Sequence, residues 1–234
     1  MKTWRAYERL VALLTTDEHN GESSTVIPNA RIKGYISGRK RQIDVLVDFR
    51  YNSDLARRII IDAKNRKRPV DIKEVEAFEG LMRDVGAKHG VLVCSNGHTK
   101  AALKRAQQHI GIRLIPESKI EELNLYSWDA CLREKCADGL VMWDTTPGLF
   151  IEGTAHIQAT GKCDACGRFH VWCWVCGNRA FLNDEDDWQC SCKGPWFWLT
   201  AIEEETNSKG RTNQAVYLLL PTANDVFMID RRPL

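Results

Sequence analysis

Two stretches decide the fold of the first half of this chain: Gln42-Ile43-Asp44-Val45-Leu46-Val47-Asp48-Phe49 and Arg58-Ile59-Ile60-Ile61-Asp62-Ala63-Lys64. Both are rich in β-branched and aliphatic residues and a polar segment separates them, so they are predicted to pair as a hairpin. Folding about residue 53 or 54 sets Asp44 opposite Asp62 or Lys64, and cross-strand neighbours lie about 4.5–5.5 Å apart. Because side chains alternate along a strand, Asp62 and Lys64 share a face.

The acid–acid–lysine trio of Asp44, Asp62 and Lys64 closes an otherwise apolar hairpin. Carboxylate oxygens are the ligands that a hard cation such as Mg²⁺ requires. A lysine beside them can stabilise a pentavalent phosphorane or orient an attacking water. The alternative is that these charges only solvate the strand ends, and the spacing alone leaves both interpretations open.

The periodicity of the flanking segments predicts the order of elements around the hairpin. Asp71 followed by Glu74 indicates a capping box that opens a helix, which then ends at Gly86. The predicted helices are 4–14, 71–86 and 99–109, and the predicted strands outside the hairpin are 26–35, 89–95 and 112–115. The order is therefore α-β-β-β-α-β-α-β.

This order, with the trio on the second and third strands, resembles the PD-(D/E)XK nuclease superfamily and, within it, the Mrr-type restriction endonuclease domain. The segments that carry the resemblance are Ser37-Gly38-Arg39-Lys40-Arg41-Gln42-Ile43-Asp44, Asp62-Ala63-Lys64, Gly90-Val91-Leu92-Val93 and 106–115. Together they cover roughly the first half of the chain. The resemblance implies an α/β, restriction-endonuclease-like αβββαβ core.

The resemblance also implies site roles. Asp44 and Asp62 would bind Mg²⁺ or Mn²⁺, Lys64 would be the catalytic lysine, and Glu8 on the first helix would assist the metal, with an exposed helix glutamate as the alternative. The chain departs from the family pattern at three positions. Ile43 stands where a proline precedes the first acid, Asp62 stands where Mrr-type domains often have glutamine or glutamate, and Glu76 lies where a helix glutamine is common.

The charge distribution is uneven, although the net charge is only +2. Basic residues cluster around the trio, where a phosphodiester backbone would need compensating cations. The candidate DNA-binding residues are Arg39, Lys40, Arg41, Arg66, Lys67 and Arg68. A solvated basic face is the alternative.

Eight of the nine cysteines follow residue 130 as close pairs. The pairs are Cys131/Cys136, Cys163/Cys166, Cys173/Cys176 and Cys190/Cys192. Cys-x-x-Cys-Gly occurs twice and strongly indicates zinc knuckles. The strand predicted between Cys166 and Cys173 would hold them about 23 Å apart, too far for one ion.

We therefore expect two structural zinc ions in ribbon-like modules. One would use Cys131, Cys136, Cys163 and Cys166, and the other Cys173, Cys176, Cys190 and Cys192. His156 and His170 are spare ligands, although strand histidines with satisfied hydrogen bonds fit them better. Cys94, inside an apolar strand, is expected to be a small buried side chain.

These features predict an Mrr-like nuclease domain over residues 1–122 and a β-rich zinc-ribbon domain over 123–234. The N-terminus lacks the apolar core of a signal peptide and no segment has the ~20 apolar residues of a membrane span, so a cytoplasmic protein is expected. The expected activity is that of a Mg²⁺-dependent endodeoxyribonuclease with DNA as its partner. It would act in restriction, phage defence or DNA repair, and the chain could form a homodimer. The alternative is a non-catalytic zinc-ribbon protein that binds nucleic acid.

Overall fold

The computed structural model describes residues 3–19, 23–51, 54–106, 110–122, 125, 128–144, 149–151, 154–156, 159–173, 176–192, 196–206, 209–220 and 225–234. The chain divides into two compact units. The first comprises Met1–His19, Val26–Phe49 and Asp54–Asn124, and the second Asn20–Thr25, Arg50–Ser53 and Leu125–Leu234. The domain boundary placed between residues 122 and 123 stays a prediction. Within the described residues, no helix is long and apolar enough to cross a membrane.

A five-stranded sheet with the spatial order β1-β2-β3-β4-β5 forms the centre of the first unit. Its strands are β1 (Ser24–Lys33), β2 (Lys40–Phe49), β3 (Ile59–Lys64), β4 (His89–Cys94) and β5 (Ile110–Leu114). Strands β2 and β3 are antiparallel, whereas β3 runs parallel to β4 and β4 parallel to β5. The helices are α1 (Thr3–His19), α2 (Ile72–Val85) and α3 (Lys100–Arg105), with short 3-10 helices at Leu55–Arg57 and Glu117–Glu122. The predicted order and the restriction-endonuclease-like fold class are confirmed.

The ends of α2 follow the predicted capping chemistry. The Asp71 carboxylate accepts a hydrogen bond from the Glu74 amide at 3.1 Å, and the Glu74 carboxylate accepts one from the Asp71 amide at 3.0 Å. Gly86 ends the helix in the left-handed region with a φ of 71°. Residues 107–109, where the predicted third helix ends, lie outside the described residues.

Helix α1 continues five residues beyond the predicted end at Leu14. The hydroxyls of Thr15 and Thr16 donate to the carbonyls of Val11 and Ala12, at 2.8 and 2.9 Å, so these side chains bond within the helix. The predicted boundary was wrong because the apolar pattern stops at Leu14, whereas the helical backbone continues to His19.

The core of the first unit lies where α2 packs on the sheet. Leu46, Ile60 and Leu92 come from three adjacent strands and are fully buried against Val75 and Phe78 of α2. The near-continuous apolar runs of β2, β3 and β4 are typical of strands that are covered on both faces. Cys94 belongs to the same cluster and is buried, as expected.

The second unit is almost entirely β-structure, which confirms the β-rich C-terminal region. One sheet has the order β12-β11-β10-β7-β6, a second has β13-β14-β15-β16, and β8 pairs with β9. The strands are β6 (Trp128–Ala130), β7 (Leu140–Asp144), β8 (Leu149–Ile151), β9 (Thr154–His156), β10 (Ala159–Cys163), β11 (Phe169–Trp172), β12 (Arg179–Phe181), β13 (Asp187–Gln189), β14 (Trp196–Thr206), β15 (Lys209–Leu220) and β16 (Asp225–Pro233).

Strands β12 and β13 go out and back as the ribbon pattern suggests, but they do not pair with each other. Strand β12 pairs with β11, and β13 pairs with β14. Leu182, just after β12, is fully buried with Phe169, whereas Trp188 on β13 stacks on Phe197 with ring centroids 6.0 Å apart. Each arm therefore pairs with a different sheet, although Leu182 and Trp188 contribute to one apolar cluster.

A buried charge network links the segments that contain Thr25 and Arg50 to the rest of the second unit. Lys162 and Asp230 form an ion pair, and Lys162 also donates to the Thr25 hydroxyl at 2.8 Å. Arg50 pairs with Asp144 and lies 3.5 Å from Asp230. Because two cations face two carboxylates, each buried charge is compensated, and removal of any one would leave an unpaired charge.

Candidate functional site

Asp44, Asp62 and Lys64 meet at one end of the β2–β3 hairpin. The ladder between these strands runs from Val47–Ile59 to Val45–Ile61, so its next step places Asp44 opposite Asp62. The Asp44 Oδ2 atom accepts a hydrogen bond from the Ala63 amide at 2.8 Å. The Lys64 Nζ atom lies 2.6 Å from Asp62 Oδ2. The structure thus brings together the three residues singled out by the hairpin pattern.

Burial and a second acid change the titration of Asp44. Its pKa is raised to about 8, first because burial disfavours the charged form and next because the Asp62 charge repels it, while the Ala63 amide acts in the opposite direction. Two carboxylates that share a desolvated site cannot both ionise easily. A divalent cation between them would favour both ionised forms, and their oxygens are the donors that such a cation takes.

Glu8 belongs to the same electrostatic environment. It is half-buried on α1, and its charge also raises the pKa of Asp44. This position differs from that of a freely exposed helix glutamate. The carboxylates of Asp44, Asp62 and Glu8 are of the donor type that Mg²⁺ or Mn²⁺ takes, but the three do not form a group whose oxygens all lie within 4.8 Å of one another.

Residues 66–68 follow β3 directly and form an anchored loop. The Arg66 amide donates to the Ser95 hydroxyl at 3.0 Å, and the Asn96 side chain bonds the Lys67 carbonyl. The Arg66 side chain pairs with Glu74, and Arg68 lies 3.9 Å from the same carboxylate. The loop is therefore basic beside the trio, but Glu74 compensates part of its charge, which the sequence run did not indicate.

Residues 39–41 lie at the start of β2, where the turn from β1 enters the strand. Arg39 and Lys40 are exposed, whereas Arg41 lies 3.5 Å from the Asp84 carboxylate. Both predicted basic segments therefore flank the strands that carry the trio, one before Asp44 and one after Lys64.

All nine cysteines are free, and eight form two groups with the predicted membership. Within each group the four sulfurs lie within 4.8 Å of one another. The first group is Cys131, Cys136, Cys163 and Cys166, and the second is Cys173, Cys176, Cys190 and Cys192. Four thiolates around a tetrahedral zinc ion, with bonds of about 2.3 Å, stand about 3.8 Å apart. The two groups therefore could bind zinc.

The first group is shaped around its sulfurs. A Cβ atom on Gly139 would lie 2.5 Å from the sulfurs of both Cys136 and Cys163, so only glycine fits there. The Cys136–Cys163 and Cys131–Cys166 sulfur distances are 3.7 and 3.8 Å. These separations match the tetrahedral spacing closely.

The second group repeats the turn geometry of the first. The Gly167 amide donates to the Cys163 carbonyl, and the Gly177 amide donates to the Cys173 carbonyl. Both glycines adopt positive φ, 69° and 79°, which explains the glycine that ends each Cys-x-x-Cys-Gly motif. The Cys173–Cys192 and Cys176–Cys190 sulfurs lie 3.5 and 3.1 Å apart.

His170 supports the first group from β11. Its Nε2 atom accepts a hydrogen bond from the Leu132 amide at 3.3 Å and lies 3.5 Å from the Cys131 sulfur, while Nδ1 lies 3.1 Å from the Arg168 carbonyl. His170 is thus a buried strand histidine beside the sulfurs. The side chain of His156 lies outside the described residues.

Sequence reasoning missed two residues that shape these sites. Gly139 had no motif to mark it. Asp84 lies in the last turn of α2 and accepts hydrogen bonds from the β1–β2 turn. A carboxylate at a helix C-terminus opposes the helix dipole, and this was the available signal.

Comparisons with known proteins extend these observations. The family model Mrr_cat, described as restriction endonuclease, matches residues 3–124, half of the chain. Among solved structures, the chain is similar to the crystal structure of the protein of unknown function AF1548, with 20% identity and a TM-score of 0.38. That match covers 47% of this chain and 56% of that one, so the chain spans about half the length of the structure it matches. No curated protein matches the chain significantly.

Proposed function

Because this chain belongs to the Mrr_cat family of restriction endonucleases, we propose that it is a metal-dependent endodeoxyribonuclease that hydrolyses phosphodiester bonds in DNA. The observation that carries the proposal is the hairpin end at which Asp44, Asp62 and Lys64 meet, with Lys64 Nζ 2.6 Å from Asp62. An ion pair that only solvated the strand end would not need a second, half-buried carboxyl beside it.

Asp44 and Asp62 are the proposed ligands of Mg²⁺ or Mn²⁺, with Glu8 as a third carboxylate. The cation, when bound, would polarise the scissile phosphate and lower the pKa of the attacking water. The Ala63 amide holds Asp44 in place at 2.8 Å, so the first ligand is preorganised by the backbone of β3.

Lys64 is the proposed electrostatic catalyst. Its Nζ atom is held by Asp62, which keeps the ammonium beside the metal ligands. Charge on the phosphate oxygens increases as the phosphorus becomes pentavalent, and a fixed positive charge there lowers the barrier.

The two cysteine groups are proposed to bind one structural zinc ion each. Small β-rich modules bury little apolar surface, and structural zinc contributes an apparent ~10–16 kcal/mol in model fingers. Four thiolates complete a tetrahedral shell and leave no open position for substrate. We therefore assign them a role in folding and place hydrolysis at the trio.

The decisive experiment compares Asp62→Asn and Lys64→Ala with wild type on plasmid and linear DNA. Mg²⁺ or Mn²⁺ should be added or simply omitted, because a chelator would also remove zinc. Lys119→Ala is the matched control, since its Nζ atom also pairs with a carboxylate, Glu122, at 2.7 Å on an exposed 3-10 helix. Removal of one electrostatic catalyst should lower cleavage by about 10²–10³-fold, with DNA binding retained.

Two outcomes would contradict the proposal. Cleavage by the Asp62→Asn/Lys64→Ala double variant at the wild-type rate would remove the trio from catalysis. DNA binding by wild type without cleavage under any metal condition would instead favour the non-catalytic zinc-ribbon alternative.

A further inference from the structure

The end of the β1–β2 hairpin is a two-stranded ribbon. The ladder between β2 and β3 runs to Val45–Ile61 and its next step sets Asp44 opposite Asp62, so residues 40–43 of β2 extend past it beside β1. The Gly34 amide donates to the Arg39 carbonyl at 2.8 Å and closes the turn. We call residues 30–43 the ribbon. Its second strand, β2, continues directly into Asp44.

Asp84 of α2 holds the tip of the ribbon in one conformation. Its carboxylate accepts hydrogen bonds from the Ile36 amide at 3.1 Å, the Ser37 amide at 2.9 Å and the Ser37 hydroxyl at 2.7 Å. A Cβ atom on Gly34 would lie 2.4 Å from this carboxylate, and Gly38 has a φ of 66°. The turn is therefore tightly fitted and rigid.

This rigid tip presents one apolar side chain among cations. Ile36 is 76% exposed, the highest value among the large apolar residues that the structure describes. Residues 30–43 include Arg31, Lys33, Arg39, Lys40 and Arg41 and no acidic residue. Arg31, Lys33, Arg39 and Lys40 are exposed. An exposed apolar side chain surrounded by cations is complementary to a polymer that carries negative charges outside and apolar groups between them.

We propose that the ribbon enters the major groove of duplex DNA, with Ile36 against base edges and the exposed cations on the phosphates. The major groove, about 12 Å wide, admits a two-stranded β-ribbon, and its thymine methyl groups take apolar contacts. A tip that is already ordered loses little entropy on binding. This inference rests on the proposed function and adds the surface through which the chain would bind duplex DNA.

The ribbon also lies at a useful distance from the chemistry. Lys40 and Asp44 are four residues apart on β2, which corresponds to about 13 Å along an extended strand. Phosphate contacts near Lys40 would thus place a phosphodiester a few nucleotides away at the trio. Binding by the ribbon would therefore position the backbone for cleavage.

The test measures binding in an Asp62→Asn background, so that cleavage does not consume the probe. Ile36→Ala is compared with Leu103→Ala, which changes an exposed leucine on α3. The double variant Arg31→Ala/Lys33→Ala is compared with Lys100→Ala/Lys104→Ala, which removes two cations from α3. The probes are a fluorescein-labelled duplex of about two helical turns and its single strand, titrated over a salt series. Methyl green, which occupies the major groove, and netropsin, which occupies the minor groove, serve as competitors.

The ribbon predicts a specific pattern. Ile36→Ala should lower duplex affinity about tenfold without changing the salt slope, and should leave single-strand affinity unchanged. Arg31→Ala/Lys33→Ala should reduce the slope by about 1.8, at about 0.9 for each phosphate that is neutralised. Both control variants should bind like the parent, and methyl green but not netropsin should displace the protein.

The inference is overturned if Ile36→Ala binds duplex as well as Leu103→Ala does, if netropsin is the effective competitor, or if duplex is not bound. Cleavage assays on the wild-type protein test the nuclease proposal independently of these binding measurements. Cleavage with no effect of Ile36→Ala refutes the ribbon alone, whereas ribbon-dependent binding without cleavage refutes the nuclease alone.

Discussion

Asp84 provides the most quantitative prediction, because its hydrogen bonds are short, buried and confined to one turn. It is 6% exposed and accepts three hydrogen bonds from Ile36 and Ser37, at 3.1, 2.9 and 2.7 Å. Substitution by alanine removes all three and leaves two backbone amides to find new partners. Substitution by asparagine keeps the shape and one acceptor oxygen but removes the charge.

The magnitude follows from these three bonds. A hydrogen bond to a charged group contributes about 1.5–3 kcal/mol, and bonds that share one acceptor do not add fully. We expect Asp84→Ala to lower the free energy of unfolding of the first unit by about 3–4 kcal/mol and Asp84→Asn by about 1–2 kcal/mol. The amides of Ile36 and Ser37 should also exchange hydrogen faster.

The effect should depend on pH with a defined sign. Burial would raise the pKa of Asp84, but the hydrogen bonds from the amide and hydroxyl of Ser37 outweigh it, and the pKa is lowered. Stability from a carboxyl with a lowered pKa is present above its unfolded pKa, about 3.9, and is lost as pH falls through the folded value. The gap between wild type and Asp84→Asn should therefore narrow below about pH 4.

Urea unfolding from neutral pH down to about pH 3, combined with hydrogen exchange, measures both effects. Asp17→Asn, an exposed aspartate on α1, is the matched control and should leave stability nearly unchanged. The reasoning is refuted if Asp84→Ala is as stable as wild type, or if the difference between wild type and Asp84→Asn stays constant over the whole pH range. Slower exchange of Ile36 and Ser37 in either variant would also refute it.

Three further predictions concern metal and DNA. Cys176→Ser should reduce zinc from two ions to one per chain and destabilise the C-terminal half, and elemental analysis that finds two ions in the variant would contradict the grouping. Gly139→Ala should remove the other ion, because its Cβ would lie 2.5 Å from two sulfurs, whereas Gly80→Ala, which meets nothing within 4 Å, should keep both. Replacing Arg66, Lys67 and Arg68 together by alanine should flatten the salt dependence of DNA binding by about 0.9 for each phosphate that these side chains neutralise; an unchanged slope would show that they only solvate the loop.

Local sequence patterns were enough to predict the elements of the first unit and the membership of the metal groups. The apolar runs of β2, β3 and β4 differ from the helical spacing of α1 and α2, and Asp71, Glu74 and Gly86 mark helix ends through chemistry that acts within one turn. The cysteine groups were predictable because the knuckle motif and the reach of one strand are both local constraints. The hairpin pattern likewise placed Asp44 opposite Asp62 or Lys64, and the observed register selects Asp62.

Only the tertiary structure decided what lies far apart in sequence. The hydrogen bond between Asp84 and Ser37 and the burial of Arg50 with Asp144 and Asp230 join segments that share no local pattern. The same holds for the separation of β12 from β13, since β12 pairs with β11 and β13 with β14 although Leu182 and Trp188 share one apolar cluster. Periodicity shows which face of an element is apolar, but its partner depends on how the whole chain packs.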